Sequence, residues 1–193
     1  MKEIILASGS ARRKEILGQF IDFKIIKPDI EEIKNNEVKA NTTVMALAFE
    51  KGMAVARENE DSLVLSCDTL VEIDGELLGK PKDRDDAREM LKKLSGKAHN
   101  VYSGYALILL SEKIKYLDFV KTSVKFKNLT DDDIENYLDT GEYKDKAGSY
   151  AIQEKGSLLI EKFDGDYFNV VGLPISKIND DLKRIFNIDL MRC

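Results

Sequence analysis

The sequence has a single histidine, His99, which leaves little material for a histidine-built zinc site or a Ser-His-Asp triad. Two cysteines, Cys67 and Cys193, make no disulfide framework, and the reading that follows is a reduced, cytoplasmic protein. No stretch approaches the roughly 18 apolar residues of a membrane span. The first apolar run, Ile4-Ile5-Leu6-Ala7, is far shorter than a secretory h-region. Repeats, low-complexity tracts and Pro/Gly-rich linkers are missing, which argues for one domain over residues 1–193. Basic residues are not in excess: the net charge of −5 speaks against a nucleic-acid polymer as partner. It leaves room for an anionic small molecule wherever positive charge is concentrated locally.

What is present reads as an ordinary folded chain, 43% hydrophobic and 34% charged. "EIILAS" predicts a buried strand, followed by a helix over Ser10–Phe20. "DFKIIKP" predicts a second strand, closed by Pro28. "TTVMALAFEKGMAVAREN" predicts a helix with Thr42 or Thr43 as N-cap. "SLVLSCDTLVEID" predicts a long strand turning at Asp74-Gly75. "DRDDAREMLKKLSG" and "TDDDIENYLDTG" predict amphipathic helices that start with acids. Between them, "HNVYSGYALILL" and "IKYLDFVKTSVKF" predict paired strands joined at "SEK". A strand at "SLLIEKF" and a helix from Ile175 to Phe186 end the chain. The alternation predicts an α/β fold with a mixed, strongly twisted sheet flanked by helices.

Against those acid-led helices, "ASGSARR" is anomalous. Arg12 and Arg13 stand where the helix dipole repels cations. A strand end, small residues and a helix start make an anion site if an anion is there, and guanidinium forks suit phosphate. Otherwise both arginines sit in solvent at a cost of a few tenths of a kcal/mol. Lys51 falls within the apolar stripe Val44, Leu47, Ala48, Val55, so it requires a partner or a cavity, or it snorkels to water. Asp68 sits among β-formers, either at a crevice as a base or metal ligand, or outward on a half-exposed strand with Thr69 on the other face. Ile30–Glu32, Lys80 in "GKP", and Lys146 and Gln153 around Gly148 are weaker signals alone. The available metal chemistry is carboxylate-based and suits Mg²⁺ or Mn²⁺ beside phosphates.

Taken in order, "ASGSARR", "CDTLV", "GKP", "LSGKAHNVYSG" and "DKAGSYAIQ…GDYFNVVGLP" resemble the Maf family of nucleotide pyrophosphatases. The resemblance implies two lobes around a central cleft, a fold like that of inosine-triphosphate pyrophosphatases, and a homodimer. It implies hydrolysis of a nucleoside triphosphate to monophosphate and pyrophosphate with a divalent cation. Asp68 falls on the proton acceptor. Arg12, Thr69 and Gln153 fall on positions tied to substrate choice, in the combination of the dTTP/UTP branch. Phosphate and metal contacts carry over to Ser8, Arg13, Glu32, Lys51, Lys80 and Lys146, with Asp68 and Glu32 as metal ligands. Two alternatives stand beside this: a pyrophosphatase of 7-methyl-GTP or other modified nucleotides, and a nucleotide-sensing regulator of cell division. Two positions depart from the family pattern: Ala11 where proline is usual, and Glu154 where glycine is common.

Overall fold

The computed structural model describes residues 2–30 and 38–193. Strand β1 (Ile4–Ala7) is buried throughout, as a strand covered on both faces must be. It pairs in parallel with β2 (Lys24–Ile25) on one side and β3 (Leu63–Ile73) on the other. β3 turns at Asp74-Gly75, both at positive φ, into antiparallel β4 (Glu76–Leu78). Antiparallel β5 (Ala98–Leu109), β6 (Ile114–Phe126) and β7 (Ile160–Asp164) complete a seven-stranded mixed sheet, six strands in the order β2-β1-β3-β5-β6-β7 with β4 beside β3.

The two edges of β3 are paired differently. β5 occupies one edge of β3 from Val64 to Glu72. The other edge is shared: β1 pairs along Leu63–Ser66 and β4 along Val71–Ile73. Among the described residues, 67–70 have no strand partner on that side. The sheet is notched there.

Helices α1 (Ala11–Leu17), α2 (Ala40–Ala56), α3 (Arg84–Leu94), α4 (Asp131–Asp139), α5 (Tyr167–Val171) and α6 (Ile175–Phe186) flank the sheet. The mixed α/β architecture expected from the sequence is present. α3 and α4 are capped as their sequences require, by Asp83 and by a Thr130–Asp133 capping box. Strand alternation then sorts the cores. Leu65 and Cys67 enter one core with α1 and α6, while Val71 and Ile73 enter a second with α3 and α4. Thr69 lies between them on the same face. α2 covers the opposite face through Val55 and Ala56, packed with Val64.

Four expectations need correction. α2 begins a turn earlier than either threonine: Lys39 is at the N-cap position, and Ala40, the best helix former, starts the helix. Thr43 instead donates its hydroxyl back to the Lys39 carbonyl at 3.1 Å. The second strand shrinks to Lys24–Ile25 because it pairs only with a four-residue β1 and leaves its side chains exposed. α1 stops at Leu17, with Gly18 closing it. In "SLLIEKF" a 3₁₀ turn absorbs Glu154–Leu159, and the strand starts at Ile160.

Candidate active site

The notch opens into a cleft of about 690 Å³. It is lined by Ser8 after the end of β1 and by Arg12 and Arg13 of α1. Asp68 and Thr69 of β3 and Lys51 of α2 also line it. Lys80, Lys146 and Gln153 join them from connecting segments. The candidate residues that lie within the described chain thus face one space, although they span the sequence from Ser8 to Gln153. Glu32 lies outside the described residues. The cleft sits beyond the carboxyl end of a parallel strand, where open α/β sheets bind ligands.

Asp68 points to the α2 face and is 7% exposed. Lys51 Nζ lies 2.5 Å from its Oδ1. A lysine within an apolar helical stripe and a carboxylate within an apolar strand therefore meet, which is how each avoids being buried as a lone charge. The approach depends on two glycines. Gly104 of β5 pairs directly with Asp68, and a Cβ there would come within 2.5 Å of the Val44 carbonyl carbon. Gly52, next to Lys51, would place a Cβ 2.6 Å from Ser66 Oγ. Ser66 in turn donates to the Ala48 carbonyl at 2.6 Å. α2 lies close on the sheet because nothing stands between them.

Thr69 points to the other face, as strand alternation requires. Its hydroxyl receives Arg13 Nη2 at 3.1 Å and is 2.8 Å from Ser103 Oγ. Arg13 also donates Nε to the Gly172 carbonyl at 2.8 Å and Nη1 to Ser8 Oγ at 3.4 Å. Arg12 donates Nε to the Val171 carbonyl at 3.3 Å. The end of α5 thus holds both arginines, through carbonyls that a helix leaves unsatisfied at its C-terminus. Gly172, at φ 119°, supplies the left-handed turn that presents them. Neither arginine stands free in solvent. No local pattern in the sequence announces this contact, which spans 159 positions; only the glycine in "VVGLP" hints at a helix end there.

Among the described residues, the lining of the cleft is strongly cationic for a chain of net negative charge. Lys27 and Lys144, which sequence reasoning did not single out, add to Arg12, Arg13, Lys51, Lys80 and Lys146, against Asp68 and Asp145. Burial, and then the neighbouring Arg13 charge, lowers the pKa of the Arg12 guanidinium. Burial and the Arg12 charge do the same to Lys146. An anion entering the cleft relieves both repulsions. Lys80 stays exposed, 3.9 Å from Asp145.

Two buried tyrosines hold the segment just before Gln153. Tyr137 accepts the Ala151 amide at 3.1 Å, and Tyr150 bonds His99 Nε2 at 2.8 Å. The lone histidine is 2% exposed, and burial pushes its pKa down to about 4. It is a neutral packing element. Cys67 is likewise buried, its thiol donating to the Gly172 carbonyl at 3.3 Å and its pKa raised by burial.

Among the described residues, no helix is long and apolar enough to cross a membrane. The family profile described as "Maf-like protein" matches residues 3–185. A relative named dTTP/UTP pyrophosphatase, from Clostridioides difficile (strain 630), is 53% identical over 188 residues, covering 97% of each chain. A second of the same name, from Caldanaerobacter subterraneus subsp. tengcongensis, is 50% identical over 96% of this chain and 90% of its own. A solved Staphylococcus aureus Ham1 protein aligns over 65% of this chain and 72% of its own, at TM-score 0.48 and 16% identity, a likeness on which nothing below rests. With nearly its whole length matched, the chain belongs to the Maf family.

Proposed function

We propose that this chain hydrolyses the α–β anhydride bond of nucleoside triphosphates, dTTP and UTP above others, releasing the monophosphate and pyrophosphate. The carrying observation is the surplus of cations, among the described residues, around the buried carboxylate of Asp68, in a chain half identical to relatives named for that activity.

Water attacks the α-phosphorus, and Asp68 takes the proton it loses. The α–β P–O bond breaks, and its electron pair leaves with pyrophosphate. Arg12, Lys80 and Lys146 meet the charge that builds on the leaving group, in a cleft where fixed donors need no reorganisation. Arg13, with three donors already used inside the protein, has two N–H groups left for phosphate. Lys51 holds Asp68 in place through Oδ1.

A divalent cation, Mg²⁺ or Mn²⁺, belongs to this reading. One buried carboxylate at a phosphate-binding cleft fits such an ion, which takes one or two protein carboxylates and completes its shell with substrate phosphates. Asp68, with Glu32, would hold it, and it would supply charge neutralisation on the triphosphate. Gln153 carries both a donor and an acceptor, and its amide N–H suits a ring carbonyl of uracil or thymine. Thr69 and Arg12 share in substrate choice. A cytoplasmic location suits both substrate supply and the free thiol of Cys67.

Pyrophosphate release across dTTP, UTP, CTP and 7-methyl-GTP, with and without Mg²⁺ or Mn²⁺, tests the proposal. Turnover of dTTP and UTP ahead of the others is expected. Preference for 7-methyl-GTP transfers the chain to the modified-nucleotide branch. Tight nucleotide binding without pyrophosphate release identifies a sensor instead of an enzyme.

A further inference from the structure

Ser103 does not line the cleft; it lies fully buried behind Thr69. The two residues are directly opposite each other in the β3–β5 ladder, with their hydroxyls 2.8 Å apart. Which one donates is settled by a third bond. Ser103 Oγ lies 3.0 Å from the Asn169 backbone carbonyl, and a carbonyl only accepts. The single proton of Ser103 is therefore spent on Asn169, and the Thr69 proton must go to Ser103. Arg13 Nη2 donates into one lone pair of Thr69. What Thr69 has left for the cleft is one lone pair and no proton.

From this chain we infer that Ser103 is a positioning residue that fixes the polarity of the Thr69 hydroxyl, making it an acceptor that selects a hydrogen-bond donor on the nucleotide. The inference rests on the reading above that Thr69 shares in substrate choice, here by direct contact with the base at N3–H, while the Gln153 amide N–H meets a ring carbonyl. Uracil and thymine present such a donor, the imide N3–H. Cytosine presents a lone pair at N3, so CTP would set two acceptors against each other with no proton between them. A site built this way rejects the wrong base through unpaired polar atoms and not through shape.

The test is kcat/KM for UTP, N3-methyl-UTP and CTP with the unaltered protein, Thr69→Val and Ser103→Ala. In the unaltered protein, UTP should exceed both analogues by about tenfold or more. In Thr69→Val both gaps should narrow. Ser103→Ala, confirmed as folded by its thermal transition, frees the Thr69 proton to turn toward the cleft, so its UTP:CTP ratio should fall about tenfold, largely by a gain for CTP. Loss of packing alone lowers both nucleotides together and leaves the ratio where it was. If Thr69→Val moves the ratio and Ser103→Ala does not, the assignment of Ser103 is overturned while the role of Thr69 stands. If neither variant moves it, Thr69 does not meet the base, and the underlying reading has failed. Should the alanine variant not fold, the nearly isosteric Ser103→Cys, a much weaker donor, takes its place with the same expected direction.

Discussion

Lys51 and Asp68 reach the cleft from opposite layers, a helix and a strand, and their charged ends meet at 2.5 Å. Both side chains are nearly out of water, at 11% and 10% exposure, so their pairing offsets part of the cost of burying two charges. Asp68→Asn keeps the shape and removes the base. Pyrophosphate release should fall by at least about 10²-fold, while nucleotide binding, followed by equilibrium titration, persists. Near-normal turnover would falsify the role given to Asp68. Lys51→Met should destabilise the fold by on the order of 3 kcal/mol in denaturant titration, because it strands a buried carboxylate. Combining both substitutions should recover part of that loss.

Gly104 makes the pair possible by letting α2 lie against the sheet, with a Cβ position 2.5 Å from the Val44 backbone. Gly104→Ala should therefore cost about 2 kcal/mol or more and lower kcat/KM as Lys51 is lifted from Asp68. Gly141→Ala is the control: its φ of 74° strains alanine, but nothing lies within 4 Å. That variant should lose only about 1 kcal/mol, and its activity should hold. Equal losses of activity in both would remove the packing explanation.

His99 sets a pH dependence of stability unrelated to catalysis. Its pKa falls from 6.5 when exposed to about 4 in the fold, because burial disfavours the charged ring. Between those values the unfolded chain binds a proton that the folded chain does not. Stability is thus complete above about pH 6.5 and falls steadily as pH drops toward 4, by up to about 3 kcal/mol. His99→Gln, which does not titrate, should flatten that limb of a plot of unfolding free energy against pH. An unchanged slope in the variant would assign the acid loss to other groups.

Two departures from the family pattern predict stabilising changes. Ala11 opens α1, where the backbone N–H needs no helical partner, and Ser10 before it is extended, at φ −77° and ψ 120°. Both conditions suit proline. Ala11→Pro should add about 0.5 kcal/mol by restricting the unfolded chain. Glu154 sits at φ 54°, a left-handed conformation that costs a non-glycine residue about 1 kcal/mol. Glu154→Gly should raise the melting temperature slightly, and a drop would show that the glutamate side chain contributes more than its backbone costs.

Much of this was legible in the chain because each signal was local. The acid-led starts of α3 and α4, the stripe that places Lys51 inward and the alternation that separates Asp68 from Thr69 are readable within one or two turns of sequence. What was not legible lies between distant segments. The carbonyls of Val171 and Gly172 that hold the arginines, the bond from His99 to Tyr150, and the hydroxyl chain behind Thr69 depend on which strands lie adjacent. The misplaced cap of α2 has a different cause: Thr42 and Thr43 are good caps, but Ala40 continues the helix through them. Glu32, placed by resemblance near the metal, falls outside the described residues.

The strands β3 and β5 each contribute to both cores: Leu65 and Leu107 to one, Val71 and Val101 to the other. A strand shared in this way gives neither core a separate existence, because melting one removes the ladder on which the other is built. The expected behaviour is a single cooperative unfolding transition for a molecule whose separate cores share two strands. The same sharing ties the two sides of the cleft into one sheet and restrains any hinge opening between them.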